Sequence, residues 1–253
     1  MQTQKIALVT GGSRGLGKNM ALALAKKGID VILTYNSKQV EAYEVVAEIA
    51  TLGQKAVALQ FDVANVKTFD GFIDTVKNAL SANWQRENFD FLINNAGIGI
   101  NVPFVETTEE QFDLLHNIQF KGVYFLTQKS LPIIANGGRI INLATGLTRF
   151  ALPGYSAYAS MKGAIEVLTK YLAKELGSRG IAVNVVAPGA IETDFGGGVV
   201  RDNPKMNEII AANTALGRVG LPDDIGGVVA FLCSEEARWI NAQRIEVSGG
   251  QHI

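Results

Sequence analysis

What this chain has little of narrows it first. Its single cysteine, Cys233, has no partner for an intrachain disulfide and no companion at metal-ligand spacing, which excludes a disulfide-stapled fold and a cysteine zinc site. There are only two histidines, His116 and His252, and neither has a second histidine or a carboxylate at ligand spacing, so no metal is expected. Neither sign of charge prevails: the formal net charge is -1, with no block of like charges to bind nucleic acid or an anionic membrane surface. No apolar run approaches the length of a membrane span, and Met1 to Gly12 lead into a strand pattern without a basic segment, apolar stretch and cleavage site. A soluble, untargeted, cytoplasmic protein is expected. With six prolines and no repeat or low-complexity segment, nothing divides the chain, and one domain over 1–253 is the expectation.

What is present is apolar and regularly punctuated. At 47% hydrophobic and 19% charged over 253 residues, the chain can bury a large core. Short apolar runs at Ile6–Val9, Val31–Leu33, Ala56–Phe61, Phe89–Ile93, Arg139–Leu143, Ile181–Val186 and Arg244–Val247 read as strands. Helical patterns alternate with them at Leu16–Lys27, Val40–Leu52, Thr68–Ser81, Glu109–Leu131, Ser156–Leu176 and Asp223–Leu232. Repeated βα units predict an α/β Rossmann fold, a doubly wound parallel sheet of about seven strands with helices on both faces. Ligands of such sheets sit outside the carboxyl ends of the strands, so the segments after Val9, Leu33, Ile93, Leu143 and Val186 should share one crevice. The cluster Gly196–Gly198 is too short to separate domains and is expected to be a mobile loop at that crevice.

Two motifs carry chemistry. The first strand is followed by Thr10-Gly11-Gly12-Ser13-Arg14-Gly15-Leu16-Gly17 and then a helix. Glycines let the backbone turn sharply and approach a pyrophosphate, whose charge is met by unpaired N–H groups at the helix start. The spacing matches neither G-x-G-x-x-G nor the G-K-[ST] of a P-loop, so the turn alone leaves its ligand open. Tyr158 and Lys162 lie four apart at the start of a helix and share a face. A phenol ionises only near pH ~10, and a neighbouring ammonium would bring it toward acid/base use.

With these motifs in that order, joined by Asn94-Asn95-Ala96-Gly97 and by Pro188-Gly189 with Thr193, the chain resembles the short-chain dehydrogenase/reductase family over essentially its whole length, and within it the carbonyl and 3-oxoacyl-ACP reductases. The resemblance implies hydride transfer between NADP(H) and a carbonyl/alcohol pair. Tyr158 would act as proton donor, Lys162 would hold the ribose and depress the Tyr158 pKa, and Thr145, thirteen residues before Tyr158 where the family has serine, would orient the substrate oxygen. Gln119 stands where the family has a catalytic asparagine that helps hold a relay water, a departure expected to alter that relay. Gly11, Ser13, Arg14, Gly15, Leu16 and Gly17 would cradle the phosphates. Asp62 and Val63 would meet the adenine, Asn94, Ala96 and Gly97 would line the adenosine side, and Pro188, Gly189, Ile191 and Thr193 would meet the carboxamide.

NAD enzymes of this architecture place an acid at the end of the second strand. Tyr35 aligns there, followed by Asn36, Ser37 and Lys38, with Arg14 nearby, so NADP(H) is preferred and NAD(H) remains open. Leu147, Phe150, Leu152, Tyr155 and Phe195 are candidates for an apolar substrate pocket, or else ordinary core. A substrate lid is expected over 190–215. The resemblance suggests a homotetramer or homodimer. A fatty-acid-type 3-oxoacyl thioester reductase, an NADP-binding sensor and a dehydratase or epimerase on the same fold remain as alternatives, with Gln119 the feature that favours the sensor.

Overall fold

The computed structural model describes residues 4–253. Seven strands, β1 Ile6–Val9, β2 Asp30–Tyr35, β3 Ala56–Gln60, β4 Phe89–Asn94, β5 Ile134–Leu143, β6 Ala182–Pro188 and β7 Arg244–Val247, form one sheet in the order β3-β2-β1-β4-β5-β6-β7. Every neighbouring pair is parallel. The helices are α1 Gly15–Lys26, α2 Gln39–Thr51, α3 Phe69–Trp84, α4 Glu109–His116, α5 Gly122–Ser130, α6 Ser156–Glu175, α7 Val199–Asp202, α8 Pro204–Ala212 and α9 Asp223–Leu232. Successive strand residues face opposite sides, and here both sides are covered. Ala7, Val9, Val31 and Leu33 pack with α1, α2 and α9, while Ile6, Leu8, Ile32 and Leu92 pack with Phe69, Phe72 and Val76 of α3. Because β1 lies between β2 and β4, the chain reverses its winding there and a crevice opens at the strands' carboxyl ends.

Three local features differ from the sequence reading. Strand β5 begins at Ile134 and not Arg139, running through Gly137 and Gly138 with a shift of register against β4. The helix expected over Glu109–Leu131 is broken by a π-helical turn at Asn117–Lys121. The segment Phe195–Gly198, read as part of a mobile loop, is a 3-10 turn that leads into α7 and α8, two helices the sequence reading did not place. Gly196, Gly197 and Gly198 all have left-handed backbone there, with φ of 61°, 77° and 78°. Among the described residues no helix is long and apolar enough to cross a membrane.

A buried polar chain crosses the sheet. Asn94 on β4 donates to Thr127 Oγ1 on α5 (3.0 Å) and to Asn142 Oδ1 on β5 (2.9 Å), and Asn142 donates to Thr169 Oγ1 on α6 (2.9 Å). All four side chains are buried, so each lost bond leaves a group without water to replace its partner. Asn142→Ala should cost about 1–3 kcal/mol, read as a lower urea midpoint at unchanged slope; an unmoved midpoint would mean that the chain contributes nothing to stability.

Candidate active site

The turn after β1 is held to the loop after β4 by one hydroxyl. Thr10 Oγ1 donates to Ile93 O (3.2 Å) and accepts from Asn95 N (2.9 Å) and Ala96 N (3.0 Å). The Asn95 amide returns the contact to Thr10 O (2.8 Å) and Gly11 O (3.2 Å). Gly11 takes a left-handed φ of 64°, and a Cβ at Gly17 would run into the Gly11 carbonyl. Arg14 stands at the start of α1 with extended backbone and no side-chain bond capping the helix, and no acid stands in the first turn. The helix therefore presents unpaired N–H groups and the positive end of its dipole to the crevice. A dinucleotide pyrophosphate fits this cradle. Ser13 is buried beneath it, Leu16 packs on the core, and Gly15 faces Thr193 across the crevice, where a Cβ would stand 3.7 Å away.

The other residues expected at the cofactor divide. Tyr35 is buried at the end of β2, with Asn36, Ser37 and Lys38 exposed after it and no carboxylate at that strand end. Lys38 pairs with Glu41 (3.1 Å) and Arg14 with Asp194 (3.4 Å), exposed pairs of small energy. Asp62 is exposed and accepts from Ala64 N (2.9 Å), beside Val63, whose carbonyl meets the start of α5 at Gly122. Ala96 and Gly97 line the crevice edge, but the Asn94 side chain is turned inward to Thr127 and Asn142; it is Asn95 that holds the glycine turn. After Pro188, Gly189 N donates to Val247 O (3.0 Å). Ile191 bridges to Gly220, and Thr193 Oγ1 accepts from Phe195 N (3.2 Å).

Tyr158 and Lys162 lie one turn apart on α6, both buried, with Thr145 buried just beyond β5. Lys162 Nζ donates to Leu143 O (2.8 Å) and stands 5.9 Å from the centre of the Tyr158 ring. The electrostatics depart from expectation. Burial raises the Tyr158 phenol well above its ordinary range, the Thr145 side chain opposes this through a hydrogen bond, and Lys162 does not lower it. The reason lies in the lysine, whose ammonium is pushed down to about 7 by burial and which has no carboxylate to hold its charge. Cys233, buried, has its thiol pushed up to about 12 and is chemically quiet.

Beside this centre lies a groove of about 480 Å³, lined by Asn101, Pro103, Phe104, Leu147, Leu152 and Tyr155 among others. It adjoins Tyr158 through Tyr155, whose ring centre is 6.4 Å from that of Tyr158. Of the expected pocket residues, Leu147, Leu152 and Tyr155 line the groove. Phe150 turns away, its ring 4.4 Å from that of His252. Phe195 instead lies on Tyr158 itself, ring centres 5.8 Å apart.

The family described as Enoyl-(Acyl carrier protein) reductase matches residues 11–252. The chain is a short-chain dehydrogenase/reductase. It is 36% identical over 259 residues to the hydroxynaphthalene reductase-like protein Arp2 of Metarhizium robertsii, covering 98% of this chain and 95% of Arp2. Among solved structures it superposes with TM-score 0.94 and 36% identity on the promiscuous reductase LugOII, which catalyses keto-reduction at C1 during lugdunomycin biosynthesis, over 100% of both chains. It also superposes with TM-score 0.93 and 35% identity on the angucycline C-6 ketoreductase LanV with bound NADP, over 98% of this chain and 95% of that one.

Within this short-chain dehydrogenase/reductase, Gln119 sits on the π turn, fully buried. Its amide donates to Ile98 O, and its Oε1 has no partner. Sequence reasoning found the substitution but not the π turn that points it at the Asn95–Gly99 loop. It also missed Arg244, which donates to Glu166 (2.7 Å), Glu246 (2.6 Å) and the carbonyl of Thr145 (3.1 Å). Arg149 extends this network from Glu246 to the carbonyls of Gln251 and His252. Apart from the neighbouring Arg244 and Glu246, these partners are 78 to 103 positions apart, too far for a sequence pattern to link them.

The buried lysine has a measurable consequence. Folded, Lys162 loses its proton above pH about 7, whereas an unfolded lysine keeps it to about pH 10. Across that window the unfolded state binds the extra proton, so stability at this site rises with pH; below pH about 7 the fold must bury the charge. Lys162→Met should raise the Tm of nucleotide-free protein at pH 6 to 7 and flatten the rise of Tm between about pH 7 and 10, by scanning calorimetry. An unchanged slope would mean that the folded lysine stays protonated.

Proposed function

We propose that this short-chain dehydrogenase/reductase is an NADP(H)-dependent carbonyl reductase acting on ketones or aldehydes. The observation that carries the reading is the convergence of Tyr158, Lys162 and Thr145 at the end of β5, in the crevice where α1 leaves its N-terminus uncapped. Tyr158 is the proton donor, Thr145 orients the substrate oxygen, Lys162 holds ribose hydroxyls, and Gln119 or its main-chain carbonyl anchors the proton relay. The turn Gly11–Gly17 holds the pyrophosphate, with Asp62 and Val63 at the adenine, Ala96 and Gly97 along the adenosine, and Pro188, Gly189, Ile191 and Thr193 at the carboxamide. The preference for the phosphorylated nicotinamide over NAD(H) rests on the missing acid after Tyr35 and on Arg14, Asn36, Ser37 and Lys38 as donors. The exposed ion pairs of Arg14 and Lys38 give way readily to a 2′-phosphate. LanV, a ketoreductase solved with NADP, supports it.

Bound NADPH supplies the hydride that reaches the carbonyl carbon. At neutral pH the buried phenol of Tyr158 is protonated and so equipped to donate to the carbonyl oxygen. The phenolate left behind is stabilised by Lys162 while that side chain is charged, which its value near 7 favours on the acid side. The segment 190–215 acts as the substrate lid, closing over ligand and excluding water. The enzyme works in the cytoplasm as a homotetramer, for which exposed apolar side chains such as Val167 and Tyr171 of α6 supply contact surface.

NADPH oxidation at 340 nm, run against NADH over ketones, aldehydes and a 3-oxoacyl thioester, is the test. Turnover should prefer NADPH, fall as pH rises through about 7, and drop roughly 10²- to 10⁴-fold in Tyr158→Phe. Tight NADPH binding without turnover of any carbonyl would favour the sensor reading, for which Gln119 in place of asparagine is the specific observation.

A further inference from the structure

Phe195 occupies the space in front of the proposed proton donor. Its ring stands 5.8 Å from the Tyr158 ring at 57°, and its Cε1–Cζ edge also reaches the bare backbone of Gly99. A Cβ there would come within 2.6 Å of Phe195 Cε1 and 2.7 Å of Cζ. Gly99 therefore leaves room that a side chain would fill for an aromatic ring beside Tyr158, a slot in which the two rings take the tilted geometry that aromatic pairs prefer. The ring in that slot is loosely tethered. Phe195 is 44% exposed, and it is followed by three left-handed glycines, of which Gly196 and Gly197 have nothing within 4 Å of where a side chain would begin. The groove beyond is lined by Phe104, Leu147, Leu152, Tyr155 and two prolines, and among its lining residues there is no lysine, arginine, histidine or carboxylate. Phe104 forms its lip at 80% exposure, a large apolar surface left in water. Arg14 and Arg201, which approach from the lid side, are both held by Asp194.

We infer that the slot between Gly99 and Tyr158 is the seat of a flat substrate ring, for which Phe195 stands in, and that the substrate is an uncharged, fused-ring aryl ketone. This rests on the carbonyl-reductase reading and narrows it. The carbonyl-bearing ring replaces Phe195 against Tyr158, and the remaining rings lie in the groove toward Phe104. A carboxylate or a phosphate-bearing carrier would enter this groove without a cation to meet it. A flexible acyl chain has no need of the clearance that Gly99 provides. Gly99 and Phe195 are thus the specificity-determining positions.

The experiment compares 1-tetralone with 1-decalone, its saturated and non-planar counterpart, alongside butanone and a 3-oxobutanoyl thioester, with NADPH. The wild type should show kcat/KM at least tenfold higher for 1-tetralone than for 1-decalone or the thioester. Gly99→Ala should lower kcat/KM for 1-tetralone at least tenfold more than for butanone, mainly through KM, while the Kd for NADPH holds. Phe195→Ala, which vacates the seat without narrowing it, should lower KM for 1-tetralone severalfold. Equal or better use of 1-decalone, or preference for the thioester, would overturn the seat and leave the carbonyl-reductase reading standing. Calorimetric titration of 1-tetralone into protein saturated with NADP⁺ tests the seat apart from turnover. Binding that weakens in Gly99→Ala while no carbonyl is reduced would uphold the seat and overturn the reductase reading; no binding in the wild type would overturn the seat.

Discussion

The site depends on how closely two diverging loops are brought together at the switch of the sheet. Strands β1 and β4 are neighbours whose exits lead to opposite sides, so their following loops would part if the backbone alone decided their course. The Thr10 hydroxyl prevents this by giving one bond to Ile93 O and receiving two from Asn95 N and Ala96 N. Around that pin the glycines permit contacts no side chain would allow, Gly11 against Ala96 and Gly17 against the Gly11 carbonyl. Substitution at any of these points would move the helix N-terminus relative to the β4 loop, and with it both walls of the crevice.

A second constraint is the absence of countercharge near the centre. Lys162 is surrounded by the sheet end and by α6, and its one described hydrogen bond is to the neutral carbonyl of Leu143. Burial without a carboxylate lowers the lysine and raises the phenol, so the pair at rest is nearer to neutral lysine and neutral phenol than to an ion pair. Charge is brought in from outside this pair or created during reaction, in a setting of low dielectric where each charge has a large effect. The carboxylates of Glu166 and Glu246 lie one layer away, and Arg244 and Arg149 neutralise them.

Much of this was legible in the residues. The strand and helix periodicities located every strand of the sheet to within a few residues, because both faces are covered and the apolar runs are continuous. The glycine turn follows β1 and leads into α1, and Tyr158 and Lys162 lie one turn apart on α6, as the alternation of strands and helices implied. What was not legible involved two kinds of information. One is conformation that a helical pattern does not encode: the π turn at Asn117–Lys121 preserves an apolar rhythm while rotating Gln119 into the interior. The other is direction. Asn94 and Phe150 were assigned to ligand and substrate by position, but each faces a partner distant in sequence, Asn142 for the first and His252 for the second. The orientation of Lys162 was foreseen, whereas its weak hold on a proton was not, since the sequence does not say how few polar groups surround it.

The tail that follows β7 ties this geometry to the order in which the chain is made. Gln251 Oε1 accepts from Ala190 N, 61 positions earlier, and Gln251 O accepts from Arg149, 102 positions earlier. Its side chain also packs against Gly189, in the loop expected at the carboxamide. A nascent chain can form β1 to β6 and their helices in sequence as each leaves the ribosome, yet the loop after β6 and the segment behind Thr145 lack their last supports until residue 251 has emerged. Two walls of the crevice, at Thr145 and at Gly189, therefore take their final packing from a segment made after every strand of the sheet.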